Sequence, residues 1–109
     1  MSTFLKVLGQ SAPAATTLTT LYTVPANVAT VCSSLIVCNR GGGSATFRVA
    51  IRQAGAAVSN EQYVYYDVPI TGNNTFIATI GLSLATTDVV SVYSSSSNLS
   101  FSIFGQENS

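Results

Sequence analysis

Few side chains in this sequence could carry out acid–base chemistry. Its 109 residues include four acidic residues, four basic residues and no histidine, which removes the usual general base near neutral pH and most zinc sites. Glu61 and Asp67 have the same parity on a predicted strand and would lie about 20 Å apart if that strand is straight. Glycosidases hold their two carboxyl groups about 5–10 Å apart. The sequence therefore predicts a protein that is not an enzyme and has no cofactor; a small hydrolase with two converging carboxylates is the alternative.

The two cysteines, Cys32 and Cys38, lie in one apolar run that is predicted to form a strand. Extended chain between them would span about 20 Å, whereas a disulfide needs Cα atoms within about 7 Å of each other. Two isolated cysteines without histidine also make a poor metal site. We interpret both as small buried apolar residues of a protein kept in a reducing compartment.

Arg48 and Arg52 have the same parity on another predicted strand and form the only candidate site for an anion. Nucleic-acid-binding proteins carry clustered Lys and Arg, whereas the net charge of this chain is zero. We therefore predict no nucleic-acid partner. We expect both arginines to pair with carboxylates or backbone carbonyls at the edge of a subunit, and we count both as candidate interface residues.

The clearest aromatic cluster contains Tyr63, Tyr65 and Tyr66. Tyrosine is favoured at protein interfaces and in sugar-binding sites because it offers a flat apolar face with a hydroxyl group at its rim. Strand alternation predicts that Tyr63, Tyr65 and Asp67 face one way and that Val64, Tyr66 and Val68 face the other, so one of the two sides packs into the core. Contact with another subunit, core packing and a glycan site are three open interpretations of the cluster.

Short β-strands are the elements that would position these residues. Thr, Val, Ile, Tyr and Phe dominate alternating runs, and turn residues separate the runs about every ten residues, a spacing typical of an all-β sandwich or barrel. We predict one domain over residues 1–109, an all-β sandwich of about eight strands, for which a jelly roll is one arrangement. The predicted strands cover residues 4–8, 18–24, 31–38, 47–52, 62–68, 76–80, 89–93 and 99–103.

Two further patterns concern pairing and turns. The similar segments Val7–Gln10 and Ile103–Gln106 are predicted to pair as edge strands. The run Gly41–Gly43 does not have the Gly-Lys-Ser/Thr ending of a phosphate loop. We predict instead a loop that needs unusual backbone angles.

The N-terminal apolar run, residues 4–8, is interrupted by Lys6 and is shorter than the apolar core of a signal peptide. No apolar stretch reaches the roughly 18 residues of a membrane-spanning helix, so we predict no membrane partner. We interpret the run as a strand of the mature protein that contacts a neighbouring subunit. Its candidate contact residues are Phe4, Leu5, Val7 and Leu8.

Charge scarcity bears most directly on function. Charged residues make up 7% of the chain, against about a quarter in an ordinary soluble domain. Neutral side chains, mostly Ser and Thr, must supply the polar surface. A net charge near zero gives copies little mutual repulsion and favours association. The composition therefore indicates a part of an assembly rather than a free enzyme.

Several segments resemble small virion structural proteins of tailed bacteriophages, including those that infect cyanobacteria. They are a Thr-Val-Pro-Ala turn within Thr20–Asn27, an apolar strand with a Cys-Asn ending in Ser33–Asn39, the strand Phe47–Arg52, a tyrosine-rich strand, and Phe104–Glu107 near the C-terminus. Asn27 departs from the pattern, since the similar sequences often have glycine there. Asparagine tolerates the left-handed conformation that such a turn would need.

The resemblance implies a non-enzymatic virion protein, assembled in the host cytoplasm. The first hypothesis is a capsid decoration (cement) protein. The alternative is a small tail or fibre component, or a receptor- or glycan-binding module. The resemblance also implies a homo-oligomer, with a trimer favoured, and a major capsid protein or tail protein as partner. It carries over no catalytic residue.

Overall fold

The computed structural model describes the backbone of residues 3–108 and side chains from Leu5 onward, so the side chain of the candidate residue Phe4 lies outside the described part. Two single-turn 3-10 segments, Gln53–Gly55 and Asn60–Gln62, lie in the longest connection. No helix in the described part is long and apolar enough to cross a membrane. The strands are β1 (Thr3–Ser11), β2 (Thr19–Thr23), β3 (Ala29–Asn39), β4 (Ala45–Arg52), β5 (Tyr63–Ile70), β6 (Thr75–Leu84), β7 (Val89–Ser94) and β8 (Leu99–Asn108).

The eight strands form two four-stranded antiparallel sheets. Sheet A has the order β1-β8-β3-β6 and sheet B the order β2-β7-β4-β5. The pairing is nested, with β1 on β8, β2 on β7, β3 on β6 and β4 on β5. An eight-stranded antiparallel hairpin rolled into two packed sheets is a jelly roll. The predicted all-β sandwich of about eight strands is confirmed.

The core lies between the sheets and is built from the inward residues of both. Phe47 of β4 is fully buried at its centre, with its ring 5.1 Å from that of Phe76 and 6.0 Å from that of Phe101. These rings meet at tilted or edge-on angles, the geometry that aromatic pairs favour. Leu35 and Ile103 of sheet A are also fully buried. This shared core fixes which face of each strand points outward.

Bulges interrupt the alternation of β3 and β5 and correct the predicted orientations. In β3 the register shifts at Ser33, so Cys32 is buried while Cys38, six positions later, is on the outer face of sheet A. In β5 both Tyr65 and Val68 pack against the core, so the prediction that these two residues face opposite sides of the sheet is wrong. Strict alternation therefore holds only between bulges.

The predicted pairing of the two similar segments is confirmed, since Val7 lies opposite Phe104. However, β8 is an inner strand of sheet A rather than an edge. Asn27 has the expected left-handed conformation, with φ of 61°. None of the glycines 41–43 has a positive φ, so the prediction that this loop needs unusual backbone angles is wrong. Close packing explains Gly41 instead, because a Cβ atom would collide with the side chain of Asn98.

A comparison of two glycines tests the packing of sheet A. A Cβ atom on Gly105 would collide with the backbone carbonyl of Val31 and lie 2.9 Å from the Cα of Cys32, whereas one on Gly81 would meet nothing within 4 Å. We expect Gly105→Ala to lower the free energy of unfolding by roughly 1–3 kcal/mol, the cost of overpacking. Gly81→Ala should leave it nearly unchanged. Equal urea midpoints for the two variants would contradict this account.

Candidate interaction surfaces

The outer face of sheet A contains no charged side chain among residues 5–108. Lys6 and Glu107 are the only charged residues on its four strands in that range. Lys6 lies between the outward residues Leu5 and Val7, and Glu107 has the parity of the buried residues of β8. Both side chains therefore point to the inner side of sheet A. We call the outward residues of sheet A the uncharged face.

Large apolar side chains stand on the uncharged face. Leu5 is 81% exposed and Ile77 is 67% exposed. Strand register puts Leu5 and Val31 on either side of Gln106, and places Ile36 beside Ile77. Ser, Thr and Gln fill the positions between them. The face therefore combines exposed apolar groups with neutral hydrogen-bonding groups. Its outward residues are Leu5, Val7, Gln10, Val31, Ser33, Ser34, Ile36, Cys38, Thr75, Ile77, Thr79, Gly81, Ser83, Ser100, Ser102, Phe104 and Gln106.

A polar cluster at one end of the sandwich holds the two charges of sheet A. The hydroxyl group of Tyr22 donates to Glu107 Oε2 at 2.5 Å and lies 2.8 Å from the hydroxyl of Thr30. Lys6 Nζ donates to the other carboxylate oxygen of Glu107 at 3.0 Å. The cluster ties β1, β2, β3 and β8 together. It also satisfies a mostly buried carboxylate that would otherwise be costly to desolvate.

The cluster shifts two pKa values. The hydrogen bond from Tyr22, together with Lys6, lowers the pKa of Glu107. Desolvation, and then the hydrogen bond to Glu107, raises the pKa of Tyr22 from 10.0 to about 12. The fold therefore favours a neutral phenol beside an ionised carboxylate.

Sheet B carries a second, charged surface that is built by a bulge in β5. Tyr66 and Asp67 together lie opposite Arg48, and Asp67 has a φ of 52°. Arg48 donates through Nε to Asp67 Oδ1 at 2.6 Å, an ion pair that raises the pKa of the guanidinium. The guanidinium also lies 4.2 Å from the ring centre of Tyr66 and 4.5 Å from that of Tyr93. Arg48 is thus held by two aromatic rings and one carboxylate.

The tyrosines predicted as contacts divide between this surface and the core. Tyr65 packs on the core, with its ring 5.6 Å from that of Phe76. Tyr66 is 57% exposed and meets the half-buried Tyr63 edge-on at 5.0 Å. Tyr63 and Tyr66 line a cleft of about 430 Å³ together with Asn60. This tyrosine cleft combines an exposed ring with an amide group.

Arg52, the last residue of β4, and Asp88, in the connection between β6 and β7, have local partners. Arg52 donates to the carbonyls of Ala56 and Gly55, at 2.8 and 3.1 Å. Asp88 accepts backbone N–H groups from Ala54 and Ala85, both at 2.9 Å. Arg48 on a carboxylate and Arg52 on backbone carbonyls have the kinds of partner that were expected of them.

The carboxylates proposed for the hydrolase alternative also have partners. Asp67 binds Arg48, and Glu61 accepts the hydroxyl group of Ser59, which lowers the pKa of Glu61. A hollow of about 620 Å³ is lined in part by Glu61 and Asp88. Among the described residues, no group of three or more His, Cys, Asp or Glu side chains could hold a metal ion.

The predicted contacts in β1 have different environments. Leu5 and Val7 are exposed on the uncharged face, whereas Leu8 lies in a bulge and packs against the core. Sequence reasoning missed Val31 and Ile77, two exposed members of the same face. The signal that could have found them is the complete absence of charge from β3 and β6.

Both cysteines are free thiols, Cys32 buried and Cys38 partly exposed on the uncharged face. Burial raises the pKa of Cys32 to about 11, so it is a neutral thiol at physiological pH. Cys32 therefore contributes apolar volume to the core and no ionised group.

Comparison with protein-family models, with curated proteins and with solved structures finds no match to this chain. The surfaces described above and the sequence patterns are therefore the basis for a functional proposal.

The polar cluster predicts how stability depends on pH. The raised pKa of Tyr22 means that its contribution is complete below pH 10 and is lost as the pH rises through about 12. The lowered pKa of Glu107 means that its contribution is present above the ordinary value of 4.5 and is lost as the pH falls below it. Both losses should appear in the midpoint of thermal unfolding.

Tyr22→Phe should therefore weaken the alkaline loss between pH 10 and 12, and should cost about 1–3 kcal/mol at pH 7 because a hydrogen bond to a charged group is removed. Tyr63→Phe, a change of the same chemistry on β5 at the opposite edge of sheet B, is the control. If both variants keep the alkaline profile of the native protein, the cluster does not act as described.

Proposed function

We propose that this chain is a non-enzymatic structural protein that works by docking its uncharged face on a larger particle. The setting we propose is a phage virion, where the chain acts as a capsid decoration (cement) protein on the major capsid protein. The observation that carries the proposal is the neutral outer face of sheet A, with Leu5 and Ile77 exposed on it.

Desolvation energies favour this face over the rest of the surface. Burying an unpaired charge is expensive, so interface cores are depleted of charged residues. On the uncharged face only neutral hydroxyl and amide groups would need new partners. Burial of its apolar side chains contributes roughly 25 cal/mol per Å² of apolar area. Sheet B, with Arg48 and Asp67 outward, would have to bury an ion pair.

The virion setting is supported by the sequence resemblance and by the free thiols. The resemblance covers the turn at residues 20–27, the strands at 33–39 and 47–52, and the segment 104–107. Cys32 and Cys38 do not form a disulfide with each other, which fits a protein that is assembled in the host cytoplasm. Bridging of shell subunits by such a face would stabilise the shell.

The tyrosine cleft favours a second candidate function, a tail component that binds a receptor glycan. Exposed Tyr66, with Tyr63 at its edge and Asn60 beside it, offers an aromatic ring and an amide to a sugar. Antibody labelling of particles under the electron microscope separates the two functions. Label over the whole head supports decoration, and label confined to the tail supports the second candidate.

A matched set of variants tests the docking surface. Leu5→Ser and Val31→Ser remove apolar groups from the uncharged face, and Val64→Ser removes an equally exposed valine from sheet B. We expect the double variant Leu5→Ser/Val31→Ser to bind particles that lack the protein about tenfold or more weakly in co-sedimentation, because buried apolar area is lost. Val64→Ser should bind as the native protein does.

Particles to which native protein is added back should also withstand higher temperature or pressure than bare particles, and the double variant should restore less of this resistance. Unchanged shell stability on adding native protein would overturn the cement function. Equal binding by the double variant and by Val64→Ser would overturn the proposed surface.

A further inference from the structure

Four strands form the edges of the two sheets, and three of them carry features that block pairing with another chain. β1 has Lys6 and a bulge between Val7 and Gly9. β2 is five residues long and also bulged. β5 has Pro69 and the bulge at Asp67.

β6 is different from the other three edges. It is ten residues long, pairs only with β3, and contains neither a charge nor a proline. Its register with β3 is unbroken from Thr75 to Thr79, and the bulge that β6 also carries, at residues 80 and 81, lies beyond this regular stretch. Natural proteins rarely leave a regular, uncharged edge of this kind without a partner strand. The edge is therefore a site for strand addition.

The hydrogen-bond pattern shows which backbone groups this edge presents. The N–H of Asn39 donates to the carbonyl of Asn74 at 2.9 Å. Antiparallel strands alternate between bonded and non-bonded pairs, so Phe76 and Ala78 also direct their backbone groups toward β3. Thr75, Ile77 and Thr79 then direct theirs away from the sheet.

One of these groups already has a partner. The N–H of Thr75 donates to Oδ1 of Asn74 at 2.9 Å. The N–H groups of Ile77 and Thr79 and the carbonyls of Thr75, Ile77 and Thr79 point outward at the edge.

We propose that β6 pairs with β6 of a second copy of this chain, antiparallel and across a two-fold axis at Ile77. In this register Ile77 lies opposite the partner's Ile77, and Thr75 opposite the partner's Thr79. Ile77 would exchange both of its backbone bonds with the partner, and each Thr79 N–H would donate to the carbonyl of the partner's Thr75. The pair would thus form about four backbone hydrogen bonds and leave the Thr75–Asn74 bond in place.

The sequence around Ile77 is the reason for choosing a second copy as the partner. Thr75-Phe76-Ile77-Ala78-Thr79 has threonine two positions on either side of Ile77 and an apolar residue one position on either side. Self-pairing therefore places Thr beside Thr, a favourable cross-strand pair. It brings no like charges together. A two-fold interface needs this kind of self-complementarity.

Pairing would double the uncharged face, which goes beyond the proposed docking function. The two-fold axis of an antiparallel pair is perpendicular to the sheet, so both copies present this face on the same side of an eight-stranded sheet. Two linked copies could then dock on neighbouring sites with higher avidity than one. The trimer implied by the resemblance would need other surfaces.

A charge-swap experiment in free solution tests the pairing. Ile77→Lys and Ile77→Glu each place like charges opposite one another across the axis, so each variant alone should raise the dimer dissociation constant about tenfold or more in analytical ultracentrifugation. An equimolar mixture should regain the dimer, because lysine then faces glutamate. Val64→Lys, which adds the same charge to β5, should dimerise as the native protein does.

Amide hydrogen exchange gives a second measurement that needs no variant. The N–H groups of Ile77 and Thr79 should exchange about tenfold or more slowly as native protein is concentrated into the dimer, while the amide of Val64 should not change. A monomer at all concentrations, an oligomer insensitive to Ile77→Lys, or a mixture that fails to regain the dimer overturns the pairing. Because no particle is present, these outcomes are independent of the docking test with Leu5 and Val31.

Discussion

Confinement of charge is the constraint on which the proposed surfaces depend. Sheet A has two charged side chains in its described part, and Lys6 and Glu107 neutralise each other at the end of the sandwich. Tyr22 also donates to the carboxylate, and Thr30 hydrogen-bonds the Tyr22 hydroxyl group. Because these charges are held on the inner side, the outer face is left to neutral groups. Loss of this arrangement would expose an unpaired carboxylate and loosen the start of β1.

The two sheets therefore have different surfaces. On sheet B a bulge brings Arg48, Tyr66 and Asp67 together and gives that side a charged, aromatic character. On sheet A the outward side chains are mostly hydroxyl, amide and aliphatic groups, with one aromatic ring (Phe104) and one thiol (Cys38), and the edge strand β6 has only hydroxyl and aliphatic side chains there. The uncharged face and the unblocked edge are adjacent because both are properties of the same strands. In an assembly, backbone pairing at the β6 edge would set how two copies align, and the uncharged face would supply the apolar area that is buried on docking.

Alternation and turn residues were enough to predict the eight strands and the sandwich, because buried positions repeat every second residue. The same rule failed at bulges. Cys32 and Cys38 have equal parity but lie on opposite faces because β3 is bulged at Ser33. Tyr65 and Val68 have opposite parity but both pack inward. A bulge depends on the partner strands, so no pattern within one strand could have located it.

The candidate surface was only partly accessible from the sequence for a related reason. Exposed Leu5 and Val7 could be predicted from their own segment, whereas Val31 and Ile77 join them only through the register of sheet A. Scarcity of charge in the sequence indicated association but did not indicate which face of the sandwich takes part in it. The structure shows which face this is, because the outer face of sheet A has no charged side chain in its described part, whereas sheet B carries Arg48 and Asp67 outward.

Thiol footprinting of the bound protein tests the docking surface most directly. In a Cys38→Ser background, where the remaining Cys32 is buried, Leu5→Cys and Val64→Cys are introduced separately. Each new cysteine would be alkylated in the free protein, because both positions are exposed, Leu5 on sheet A and Val64 on sheet B. On the particle, Leu5→Cys should react about tenfold or more slowly, while Val64→Cys should react at its free rate. Protection of Val64→Cys with Leu5→Cys still reactive would contradict the claim that the uncharged face is the docking surface.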